Sequence, residues 1–142
     1  MRLLLITTSF FSSILLSQTH WETAVYAEDI WSYYVGTNQP PDNWNELTFD
    51  TSTWEVGQGG FGYADGDDNT VIPNTLSVYF RKSFNIMDVD EILATAIHGD
   101  YDDGFVAYLN GVEVFRSTNM GEPGTEVTYS LLYTSPRPRD RG

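Results

Sequence analysis

The 142-residue sequence predicts an all-β domain, an antiparallel β-sandwich or barrel of short strands. Three observations predict it. Runs rich in aromatic and β-branched residues recur at fairly regular spacing, and aromatic residues make up 15% of the chain, which suits half-buried pleated surfaces. Six prolines and 12 glycines separate these runs with turn signals. No segment carries the apolar periodicity of an amphipathic helix of ordinary length. The length holds one domain at most, and a hydrophobic fraction of 41% is enough to build its core.

Residues 1–27 read as a secretory signal peptide. Arg2 supplies a short positive start, and residues 3–16 (LLLITTSFFSSILL) are apolar but diluted by Ser and Thr. That run is short of the roughly 20 apolar residues a membrane span needs. Residues 25–27 (VYA) suit cleavage before Glu28, and an earlier cut, a buried N-terminal strand or an uncleaved anchor are the alternatives. The body, residues 28–133, opens with a compact aromatic strand at 30–35 (IWSYYV). Pro40-Pro41 breaks the loop at 36–45, residues 47–49 form a short strand, and 51–54 a turn that inserts Trp54. Residues 57–68 (GQGGFGYADGDD) read as one long loop.

The longest strand is expected at 76–86 (LSVYFRKSFNI), one helical turn at 89–92 and another strand at 93–98 (LATAIH). Residues 105–115 form a β-hairpin about Asn110-Gly111, pairing 107–109 with 112–114, because a two-residue type I′ turn needs positive φ at both central positions. A last strand is placed at 127–133. The tail 134–142 (TSPRPRDRG) reads as a linker or as a truncated or frame-shifted end.

The net charge is −13, and Arg81, Lys82 and Arg116 are the only cations of the body. Nucleic-acid binding through phosphates needs clustered Lys and Arg, so that class is excluded. The absence of cysteine excludes thiol catalysis, Cys-ligated zinc and disulfide staples, so stability rests on the core or on a bound metal.

In order along the chain, the segments 31–34 (WSYY), 41–44 (PDNW), 49–54 (FDTSTW), 59–63 (GGFGY), 78–84 (VYFRKSF), 102–114 (DDGFVAYLNGVEV) and 115–120 (FRSTNM) resemble a secreted jelly-roll β-sandwich module. It is of the galactose-binding-like class. Such modules occur in large extracellular proteins of environmental bacteria, beside CotH-type kinase, lamin-tail, hydrolase or sorting domains. The resemblance covers nearly all of residues 30–133. It implies a secreted or cell-surface location, further domains in the same parent polypeptide and no membrane span in the mature chain.

Two constellations bear on function. Asp65, Asp67 and Asp68 in one loop, and Asp100, Asp102 and Asp103 in another, offer the oxygen ligands that calcium prefers, without the closing Glu of an EF-hand. The alternative is a pair of Asp/Gly turns whose side chains cap their own backbone. Trp44, Trp54, Tyr63 and Tyr101 lie near loops rich in Asp and Asn and could form a stacking platform for a glycan, with Arg81 gripping a ligand hydroxyl. The competing reading puts Trp54 in the core with Trp31, Phe61, Tyr79 and Phe105, leaves Trp44 as the aromatic most exposed, and gives Arg81 a structural ion pair.

Catalysis finds no support. His98 is the only histidine after the leader; a triad would need it beside a Ser and a carboxylate, whereas its place at the end of an apolar run reads as a strand-end histidine, and the several His or His/Asp groups of a metal hydrolase are absent. The glycine-rich stretch 57–62 lacks the Lys-Ser/Thr of a phosphate loop. The expected protein is a non-catalytic accessory module, carbohydrate-binding or adhesive. A spacer without ligand, or a fragment of an extracellular hydrolase lacking its catalytic domain, is the alternative.

Overall fold

The computed structural model describes residues 20–63 and 66–130, and among these there are seven strands and no helix. Hence no helix among the described residues is long and apolar enough to cross a membrane. The strands are β1 (Ile30–Val35), β2 (Glu55–Gln58), β3 (Phe61–Gly62), β4 (Thr70–Val71), β5 (Val78–Arg81), β6 (Val106–Leu109) and β7 (Val112–Arg116). They form a three-stranded antiparallel sheet in the order β2-β1-β5, a short parallel pair β3-β4 and the antiparallel hairpin β6-β7.

β1 occupies the range its sequence predicts, and it is the centre of the main sheet. Its N-terminal part pairs with β2, from Ile30 opposite Gln58 to Tyr33 opposite Glu55. Its C-terminal part pairs with β5, from Ser32 opposite Arg81 to Val35 opposite Val78. Successive side chains point to opposite faces. Ser32, Tyr34, Tyr79 and Arg81 therefore share one face, and Tyr33, Val35, Phe80 and Glu55 the other.

The second face is covered by the glycine-rich stretch. Phe61 packs on Tyr33 at 5.2 Å and on Phe80 at 4.6 Å between ring centroids. Gly57 permits this approach: a Cβ there would stand 2.6 Å from Thr70 Cγ2 and 2.9 Å from the Phe61 ring. Residues 57–68 are thus not one loop. They finish β2 and supply β3, which pairs in parallel with β4 after a crossover.

The first face carries the loop between β1 and β2 and then the hairpin. Trp54 is buried, at 9% exposure, after the expected turn, and packs tilted against Tyr34 and edge-on against Phe49. Residues 47–49 are a turn rather than a strand, because Glu46 N–H donates to the Asn43 carbonyl and Phe49 N–H to that of Glu46, closing consecutive turns. Trp44 bridges the layers, 4.9 Å from the Tyr79 ring on β5 and 5.7 Å from the Tyr108 ring on β6.

The hairpin turns at Asn110 and Gly111, with φ of 50° and 84°, and Tyr108 and Leu109 pair with Glu113 and Val112 as expected; a bulge between Ala107 and Tyr108 then puts Ala107 opposite Phe115 instead of Val114. Its base is tied by Ser117, which is buried, accepts Phe105 N–H at Oγ and donates to Asn119 Oδ1.

The sheets are small and unclosed, and a jelly-roll sandwich is not completed among the described residues. β5 ends at Arg81, short of residue 86. Residues 93–98 are not in a strand, and Leu93 and Ile97 are exposed. A strand needs a neighbour to take its backbone groups, and no described segment lies beside this one in a ladder. Residues 89–92 make one turn, closed by Ile92 N–H on the Val89 carbonyl. Residues 127–130 are not in a strand, and 131–133 lie outside the described residues, as do most of the leader and the tail.

Candidate functional site

Six aromatic rings gather on the first face of the main sheet: Tyr34, Trp44, Phe49, Trp54, Tyr79 and Tyr108. The period-two alternation of β1 and β5 delivers Tyr34 and Tyr79 directly opposite one another. The loop between β1 and β2 brings Trp44, Phe49 and Trp54, and the hairpin brings Tyr108. Trp44 is half-buried and central, and stacks with Trp54 at 6.3 Å.

Burial pushes the Tyr79 and Tyr108 hydroxyls above the usual tyrosine pKa. Tyr79 Oη lies near Ser77 but outside hydrogen-bond geometry with it, while Ser77 Oγ donates instead to the Tyr129 carbonyl at 2.8 Å.

Arg81 fixes the loop onto the sheet. Its Nη1 donates to the Trp44 carbonyl and its Nη2 to the Glu46 carbonyl at 2.8 Å, and its guanidinium lies 5.4 Å from the Phe49 ring centroid. These carbonyls replace the carboxylate of the expected ion pair. The other two body cations are also committed to structure. Lys82 contacts Asp29 at 3.4 Å and donates to the Ile30 carbonyl. Arg116 forks onto Glu113 through Nε at 2.9 Å and Nη2 at 2.8 Å, and holds the loop beyond the hairpin through the carbonyls of Met120 and Thr125.

An open cleft of about 240 Å³ borders the aromatic group, lined by Tyr33, Tyr34, Val35, Thr37, Thr53 and Glu55. It follows from the stagger of the sheet. β2 pairs with β1 only as far as Tyr33, whereas β5 continues to Val35, so the β1 edge beyond Tyr33 faces no strand on the β2 side. Glu55 Oε2 accepts the Tyr33 hydroxyl at 2.7 Å, and this bond raises the Tyr33 pKa. The Tyr34 hydroxyl donates to Asn38 Oδ1.

Of the five residues expected to bind a ligand, Trp44, Trp54 and Arg81 come together. Trp54 is walled in by other rings, and Trp44 is less exposed than its Pro- and Asn-rich surroundings suggest. Tyr63, half exposed, follows β3. Tyr101, also half exposed, packs edge-on against Phe105, which stacks on Phe115 at 4.8 Å. These two belong to other surfaces.

Among the described residues, no group of three or more His, Asp or Glu converges as metal ligands. Asp67 and Asp68 follow β3, Asp100, Asp102 and Asp103 precede the hairpin, and Asp65 lies outside the described residues. The second acidic loop is pinned by hydrogen bonds: Asn119 Nδ2 donates to the Asp103 carbonyl at 2.8 Å. His98 is exposed in the unpaired segment.

Tyr34, Tyr108, Thr37, Thr53 and Glu55 were not among the residues expected from sequence. Alternation within β1 could have pointed to Tyr34. The cleft depends on where β2 stops pairing, which no local motif encodes. No family model, curated protein or solved structure matches this chain.

Proposed function

We propose that the chain is a non-catalytic binding module of a secreted or cell-surface protein, and that its ligand is a carbohydrate. The observation that carries this reading is the junction of an aromatic cluster with a hydroxyl-lined cleft. Sugar recognition needs an apolar wall for the ring and a few fixed polar groups for its hydroxyls. Tyr34 supplies the wall, and Thr37, Thr53 and Glu55 the polar groups. The resemblance to galactose-binding-like modules points to the same class. A ligand-free spacer is the rival, and it draws on the ring-against-ring packing of Trp44 and Trp54.

Affinity electrophoresis and titration calorimetry against a panel of neutral polysaccharides test the proposal. Binding is expected, with Tyr34→Ala weakening it about tenfold or more and Tyr34→Phe retaining most of it. Absence of binding across the panel by the folded protein would favour the spacer.

A further inference from the structure

The cleft at the β1 edge allows a narrower statement, which rests on the carbohydrate reading above. We propose that the cleft seats one ring of a neutral sugar, and that the Glu55 carboxylate accepts its hydroxyl hydrogens.

Size comes first. About 240 Å³ lies below the range of roughly 300–1,000 Å³ that holds drug-sized ligands, which is the scale of one ring. Chemistry comes second. Tyr34 and Val35, on opposite faces of β1, border the cleft with apolar surface at the sheet edge, and Thr37 and Thr53 offer hydroxyls that both donate and accept. Glu55 is exposed, and its Oε2 already holds one hydroxyl, that of Tyr33. An ionised carboxylate has about four lone-pair sites on two oxygens, so Glu55 has capacity for a neighbouring pair of ligand hydroxyls. Such bonds are charge-assisted and stronger than neutral ones.

Charge decides between neutral and acidic sugars. A uronate or sulfated sugar needs a cation, and Glu55 would repel it. Arg81, Lys82 and Arg116, the only Lys and Arg among the described residues, are engaged with carbonyls, Asp29 and Glu113. The chain as a whole carries −13. A neutral, hydroxyl-rich ring satisfies the cleft without a counter-charge.

The test uses the whole chain and three variants. Glu55→Gln keeps the shape and removes the charge, and it should weaken binding to a neutral polysaccharide about tenfold or more. Glu91→Gln removes an exposed carboxylate from the turn at 89–92, outside the cleft, and it should bind within about threefold of the parent. A polyuronate and a sulfated glycan, tested on the parent chain, should bind at least about tenfold more weakly than the neutral polymer. Glu55→Gln binding as the parent does, while Tyr34→Ala loses binding, would overturn the assignment to Glu55 and leave the carbohydrate reading intact. Equal binding of acidic and neutral polymers would overturn the charge argument and the assignment with it. No binding of any glycan by the folded parent would remove both readings.

Discussion

Glu113 shows how one side chain holds several segments. Its carboxylate accepts Nε and Nη2 of Arg116 and the backbone N–H of Gly124 at 3.1 Å. These bonds, the Arg116 pair foremost, hold its carboxyl below the usual glutamate pKa. A group with a depressed folded-state pKa stabilises the fold above its unfolded value, about 4.3, and that contribution is lost as pH falls through the folded pKa. Unfolding by urea, measured from about pH 5 down to about pH 2, should therefore show stability falling below about pH 4.3. Glu113→Gln should flatten part of that fall, since the amide does not titrate there. An acid limb identical to the parent's would show that Arg116 is not paired this way in solution. Arg81 differs in kind. Burial lowers its pKa, yet it stays a cation at any ordinary pH, and two carbonyls take its N–H groups. Residue types along the chain show that a cation sits mid-strand. They do not show that a loop 35 residues upstream presents its carbonyls there.

At the scale of elements, the hairpin was legible because its information is local. Asn110-Gly111 names the turn, and the flanking residues name the strands. β1 was legible for the same reason, since IWSYYV favours the pleated state wherever it is placed. Residues 93–98 carry a similar apolar pattern, but a strand exists only with a partner, and partnering is a property of distant segments. The cleft was illegible on the same ground: it is the space left where β2 pairing stops at Tyr33. Gly111 tests the local part. Its φ is 84°, and a Cβ added there would come no nearer than 3.7 Å to Glu46 Cγ. A side chain fits sterically, so any cost comes from the backbone. Gly111→Val should destabilise by about 1–2 kcal/mol, because a β-branched residue resists positive φ, whereas Asn110→Gly should be tolerated. Chemical denaturation of the two variants gives the difference, and an unchanged midpoint for Gly111→Val would mean that the turn differs in solution.

For the whole molecule, charge opposes compactness. The net −13 is spread over a chain with no disulfide, and the buried hydrophobic residues Tyr33, Trp54, Ile72 and Tyr79 make a small core. The loops are held by hydrogen bonds, such as Asn119 to the Asp103 carbonyl, and by the Arg116 clamp. Self-repulsion at this charge destabilises the folded state, and salt shortens its reach from about 30 Å at 0.01 M to about 8 Å at 0.15 M. Sodium chloride raised across that range should therefore raise the melting temperature. Calcium and magnesium at matched ionic strength separate screening from chelation. Diffuse screening depends on charge and not on coordination geometry, so the two ions should then act alike. A cage of carboxylates prefers calcium, which accepts irregular oxygen ligands, over magnesium, which keeps its waters. An added rise with calcium, blunted by Asp67→Ala or Asp102→Ala, would establish that the acidic loops bind calcium. Equal rises that neither substitution alters would make them solvated turns. A melting temperature that falls with sodium chloride would overturn the premise, because attraction between opposite charges would then outweigh repulsion among carboxylates.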